Sequence, residues 1–104
     1  MTTVATSKML TNPSNVNVVG GKSPQKVRLN SIHISTDGGS TAQVQIFDSH
    51  DATTASADQI TRIYLPAAVT NLEHDFHGAL LSDGILVNVS NNASATVCIT
   101  INYS

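Results

Sequence analysis

Ile85-Leu86-Val87-Asn88-Val89-Ser90, a turn at Asn91-Asn92, then Ala95-Thr96-Val97-Cys98-Ile99-Thr100-Ile101-Asn102-Tyr103 decide the class of this fold. Apolar residues recur at every second position along both limbs. Side chains alternate between the two faces of a strand, so each limb reads as a half-buried strand, and the Asn pair between them reads as the turn of an antiparallel hairpin. From Gly84 to Ser104 there is no charged side chain, so even the outward positions Thr96, Cys98, Thr100 and Asn102 are neutral. Such a face is a candidate for covering by another chain.

Working backwards, the same signal recurs. Ala42, Val44 and Ile46 alternate with Gln43 and Gln45 up to Phe47-Asp48. Val27-Arg28-Leu29 alternates, and Ile32-His33-Ile34 alternates in the opposite phase, which predicts a β-bulge at Asn30-Ser31. Asp37-Gly38-Gly39-Ser40 is a turn, so Val27–Thr36 and Ala42–Asp48 are expected to form a second hairpin. Ile60–Leu65, closed by Pro66, and Leu72–His77, closed by Gly78, read as further short strands, with room for one helical turn within 58–68. The loop 50–58 holds no apolar residue larger than Ala and is expected to be exposed. Residues 1–25 are rich in Thr, Ser, Asn and Gly, with one apolar run at Val16–Val19, and read as an extended N-terminal arm carrying one strand before a β-sandwich domain over 26–104.

Composition agrees. Val and Ile, 10 and 8 residues, dominate the apolar side chains, and β-branched residues suit a pleated surface better than a helix. About seven or eight short strands separated by turn residues, with no helical periodicity, indicate an all-β antiparallel sandwich or jelly roll. Ser and Thr number 12 each and Asn 9, whereas charged residues make up 12%, about half the usual share, so the polar surface is mostly uncharged. Hydroxyls and amides lose less hydration energy on burial than ions do, which suits a surface meant to be packed against other chains; an ordinary neutral-surfaced sandwich is the alternative reading.

Several function classes fit poorly. A single cysteine, Cys98, rules out an intramolecular disulfide framework. The first residues lack the apolar core of a secretory leader, and no run approaches the ~20 apolar residues of a membrane-spanning helix, so a soluble product made in the cytoplasm, with no membrane partner, is expected. Lys8, Lys22, Lys26 and Arg28 are four scattered cations, far from the dense basic stripe of a nucleic-acid footprint. Glu73-His74-Asp75-Phe76-His77 is the densest ligand cluster, with His50-Asp51 a distant companion, but His74 and His77 point to opposite faces of a strand. Cys98 sits in mid-strand as a small apolar filler, and no activated nucleophile or paired general acid and base stands out. No catalytic residue, metal or cofactor is therefore expected.

The segments Val27-Arg28-Leu29-Asn30-Ser31-Ile32-His33-Ile34, Gln43-Val44-Gln45-Ile46-Phe47-Asp48, Phe76-His77-Gly78-Ala79-Leu80 and Ser82-Asp83-Gly84-Ile85-Leu86-Val87, with the closing strand 95–103, resemble in order and pattern the small structural proteins of tailed bacteriophages, particularly the jelly-roll decoration or cement proteins of their capsids. The resemblance covers about three quarters of the chain and is one of strands and turns. It implies a non-enzymatic virion protein made in the host cytoplasm, a homotrimer whose N-terminal arm clamps the major capsid protein or another virion protein. On that reading Val4, Met9, Leu10, Val16 and Val18 are the partner-binding anchors of the arm, and Lys22, Lys26 and Arg28 steer the approach. A head-to-tail or tail component shares the same sheet vocabulary. The rival from another class is a carbohydrate- or receptor-binding module using the loops 50–58 and 71–78. A third is a metal-dependent enzyme built on His74, His77 and His50.

Overall fold

The strand signal is realised eight times. A computed structural model describes residues 6–21, 23–38, 41–51, 58–68, 70–90 and 96–104, and its strands are β1 (Thr6–Thr11), β2 (Val16–Val19), β3 (Val27–Thr36), β4 (Ala42–Asp48), β5 (Asp58–Leu65), β6 (Asn71–Leu81), β7 (Ile85–Ser90) and β8 (Val97–Tyr103). They form two four-stranded antiparallel sheets, β1-β8-β3-β6 and β2-β7-β4-β5. First pairs with last, second with seventh, third with sixth and fourth with fifth. The chain is thus one long hairpin folded over on itself, the connectivity of a jelly roll. Among the described residues there is no helix, and the turn allowed for within 58–68 is strand β5.

Two expected hairpins are corrected by this topology. β3 and β4 lie in different sheets, and so do β7 and β8. Alternation dictates which side chains face the core but says nothing about which strand lies alongside, so a link that crosses from one sheet to the other has the same sequence signature as a tight turn. Only β4 and β5 form a hairpin, with Gln43 opposite Tyr64 and Gln45 opposite Arg62. The bulge expected at Asn30-Ser31 is present: the pairing of β3 with both neighbours shifts between Leu29 and Ser31. That extra residue lets Leu29 and Ile32 both face inward, and both are fully buried. The strand expected to stop before Gly78 instead continues to Leu81, passing through His77 and Gly78 at φ of 55° and 70°, where β6 bulges opposite Asn30.

The segment read as an arm with one strand carries two. β1 pairs with β8 along its whole length, and β2 pairs with β7. Leu10 and Val18 pack against the core, Val19 belongs to it, and Val16 lies half-buried opposite Val87. The cause is local: Asn12 and Asn15 adopt φ of 45° and 48°, a left-handed conformation that Asn tolerates well, and so turn the chain from one sheet to the other. The Asn12 amide donates to Val97 O at 2.7 Å and Val97 N–H donates to Asn12 Oδ1 at 2.8 Å, which ties this corner to β8.

Between the sheets lies a layer of branched aliphatic side chains, among them Leu29, Ile32, Ile34, Val44, Ile46, Ile85, Val87, Ile99 and Ile101, all fully buried. One end of the sandwich is knitted by polar bonds. The amides of Ser82, Asp83 and Gly84 donate to the Asp48 carboxylate at 3.2, 2.8 and 3.2 Å, and Asn17 Nδ2 donates to Ser49 O at 2.9 Å and to Ile85 O at 3.2 Å. Gly84 is fixed by this arrangement: at φ of 150°, a β-carbon there would lie 2.2 Å from Val19 O and 2.7 Å from Ser49 O.

Two outcomes follow from this geometry. Gly84→Ala is expected to lower the unfolding free energy by about 2–4 kcal/mol, combining backbone strain with a steric clash, as read by urea denaturation. A chain lacking residues 1–25 loses an edge strand from each sheet and is expected to show no cooperative unfolding transition; a sharp transition like that of the full chain would contradict it.

Candidate functional site

The register of the first sheet sets its outward side chains in three rows. Ser7, Asn102, Ser31 and Asp75 form one; Met9, Thr100, His33 and Glu73 the next; Thr11, Cys98, Ser35 and Asn71 the third. The inward positions between them are the buried Ile32, Ile34, Ile99 and Ile101, with Leu10 and Leu72 at the margins, so these rows are the opposite, solvent side of the sheet. On β1, β8 and the stretch of β3 from Ser31 to Ser35 the face holds no Asp, Glu, Lys or Arg. Acid enters only on the edge strand β6, through Glu73 and Asp75.

The rows are stitched by weak polar links. Ser7 Oγ donates to Asn102 Oδ1, Asn102 Nδ2 donates to Ser31 Oγ at 2.9 Å, and Thr11 Oγ1 lies 3.7 Å from Cys98 Sγ. Met9, in the middle row on the edge strand, is 66% exposed. A long apolar side chain standing on a neutral, hydroxyl-lined sheet can be covered at small desolvation cost.

Of the residues expected to contact a partner, the structure keeps Met9 open and turns Leu10 and Val18 into the sandwich, so these two serve the fold. Val16 is half-buried, and Val4 and Lys22 lie outside the described residues. Lys26 and Arg28 come together at the start of β3, where with Leu80 and Ser104 they border a shallow hollow of about 210 Å³. Arg28 donates to Gly78 O at 3.2 Å, and Leu80 beside it is 60% exposed. Leu80 was invisible as a surface residue in the sequence, because it follows the bulge at His77-Gly78 that resets the phase of β6.

The histidine cluster disperses. His74 faces the inner side of β6 and meets Phe76 edge-on, ring centroids 4.5 Å apart, while Glu73 and Asp75 stand on the outer face. His77, on the bulge, has Nδ1 3.6 Å from Asp75 Oδ2. His50 lies at the knitted end, half-buried, with Nδ1 3.1 Å from Asp83 Oδ2; the rest of the loop expected to be exposed, residues 52–57, lies outside the described residues. Among the described residues no three His, Cys, Asp or Glu side chains gather as a metal ion requires. The Cys98 thiol meets the Thr11 hydroxyl, a group that cannot serve as its base. No helix of the described residues is long and apolar enough to cross a membrane.

No protein-family model and no curated protein matches this chain in sequence. Within the chain, the neutral face of the first sheet sets an exposed Met9 among uncharged polar rows. Because its polar links are side-chain pairs between half-buried or exposed groups on neighbouring strands, Asn102→Ala is expected to cost no more than about 1 kcal/mol in denaturation, leaving these positions free to vary without loss of the fold.

Proposed function

We propose that this chain is a non-enzymatic structural protein of a virion, a decoration or cement protein that binds coat-protein subunits as a homotrimer. The observation that carries the reading is the uncharged outer face of β1, β8 and the Ser31–Ser35 stretch of β3, with Met9 exposed on it and the acids confined to β6. The jelly-roll connectivity and the resemblance of the strand order to phage decoration proteins support the same reading. Lys26 and Arg28, gathered beside Leu80, supply a small basic patch for an acidic partner surface.

The mechanism is thermodynamic. Specific contacts bury about 800 Å² per partner, and neutral polar rows let this area be covered without stripping water from ions. A single contact of one small sheet is modest. Repeated around a ring, such contacts multiply through effective concentration, so a shell is reinforced by copies that bind weakly one at a time. Copies related by a ring symmetry would set the β1 edge of one chain near a different surface of the next, which suits an edge strand that presents unpaired backbone groups.

Light scattering across a concentration series tests the assembly: the expected mass is three times the 10.9 kDa of one chain. The double substitution Met9→Lys, Thr100→Lys is expected to return the mass to a monomer with the thermal midpoint nearly unchanged. A wild-type chain that stays monomeric at all concentrations contradicts the trimer. Mass spectrometry of purified particles from the source that encodes the chain tests its place in a virion; its absence from them would overturn the reading.

A further inference from the structure

On the other sheet, a hollow of about 260 Å³ opens where β4 begins and β5 ends, bordered by Thr41, Ala42, Gln43, Tyr64, Leu65 and Pro66. Gln43 and Tyr64 are cross-strand partners, so their side chains share the outer face of β2-β7-β4-β5. Tyr64 is 65% exposed, and Arg62 Nη1 lies 3.4 Å from its hydroxyl while Arg62 Nη2 lies 3.4 Å from Gln59 Oε1, a chain of contacts that restrains the ring.

Gln43 is the telling residue. It is only 9% exposed, and among the described residues its side-chain amide has no hydrogen-bond partner. Its neighbour on the same face, Gln45, has a partner on the sheet, its Oε1 accepting from Asn88 Nδ2 at 2.9 Å. Its amide atoms are not sealed from solvent, so water at the hollow serves them in the free protein, and a ligand that displaces that water meets two donors and an acceptor.

We propose that this hollow is a binding site for a neutral sugar ring. The described residues that border it are all uncharged, and the nearby Arg62 is turned to Tyr64 and Gln59, which disfavours an ionic ligand. The volume lies just below the range of about 300–1,000 Å³ typical of sites for drug-sized molecules, so it fits one ring-sized unit. A pyranose has an apolar C–H face to lie on the Tyr64 ring and adjacent hydroxyls that both donate and accept, the pattern a Gln amide satisfies. A purely apolar ligand would seal Gln43 away unpaired. An extended peptide is disfavoured because Pro66 has no N–H to continue the β5 edge and because Tyr64 is the single aromatic residue bordering the hollow among the described residues. The site lies on the sheet opposite the proposed assembly face and goes beyond that role: a capsid-bound protein so equipped would also hold glycans.

The test is a ¹H–¹⁵N correlation spectrum of the full chain titrated separately with glucose, galactose, mannose and N-acetylglucosamine, each to 100 mM. The expected result is a saturable shift of the Gln43 side-chain amide and of the backbone amides of Ala42, Tyr64 and Leu65 with at least one of them, and an affinity, read from those backbone amides, weakened about tenfold or more by Gln43→Met and by Tyr64→Ala. Gln43→Met keeps the side-chain length and removes only the amide, so it is expected to fold at least as stably as the parent. No movement of the Gln43 amide with any of the four sugars, or unaltered affinity in folded Gln43→Met, would overturn the proposal, as would a shift produced by a proline-rich peptide and by none of the sugars.

Discussion

The structure depends on one dry layer of aliphatic side chains shared by strands that are far apart in the chain. Leu29, Ile32 and Ile34 from β3 and Ile99 and Ile101 from β8 form one wall, and Val44 and Ile46 from β4 with Ile85 and Val87 from β7 form the other. Fully burying one such side chain is worth roughly 1.5–3 kcal/mol, and in a domain of about this size there is no second core to fall back on. Because successive strands mostly sit in opposite sheets, neither half of the sequence can build this layer alone. Residues 6–19 are drawn in for the same reason: β1 and β2 cover the outer flanks of β8 and β7.

That dependence explains which features could be read from the sequence. Period-two alternation is a local property, so the inward faces of β3, β4, β7 and β8 and even the bulge at Asn30-Ser31 were legible. Partnership between strands is not local. The links from β3 to β4 and from β7 to β8 have the residues of tight turns, yet each carries the chain across the sandwich. β1 was obscured for a different reason, although β2, next in the chain, stood out as the apolar run Val16–Val19: an edge strand buries little, so Thr6–Thr11 has mostly exposed side chains and a Thr/Ser/Lys composition that resembles a solvated tail. Asn12 and Asn15, whose positive φ makes the corner between them, were the available clue.

The candidate surfaces show the same division. The lack of charge after Gly84 anticipated a neutral face, but the contribution of Ser7, Met9 and Thr11 to it required the register of β1 against β8. Gln43 read as an ordinary outward residue of an alternating strand. Its burial and its unpaired amide arise from its surroundings on the sheet, which no spacing rule encodes. Polar residues that the fold nearly covers without bonding them to other side chains are where the consistency between local pattern and global structure breaks, and such breaks concentrate at sites of function. The two sheets thus divide the surface: one offers uncharged rows suited to being covered by protein, and the other a small hollow suited to a ring-shaped ligand.

The claim that the β1 side of the first sheet is a surface made to be covered is tested most directly by hydrogen–deuterium exchange read by mass spectrometry at low and high protein concentration. The account predicts that amides of Thr6–Thr11 gain protection as concentration rises, while those of β5, on the other sheet, are unchanged. Exchange in β1 that is independent of concentration, and equally so when the chain is mixed with the particles that carry it, would contradict it.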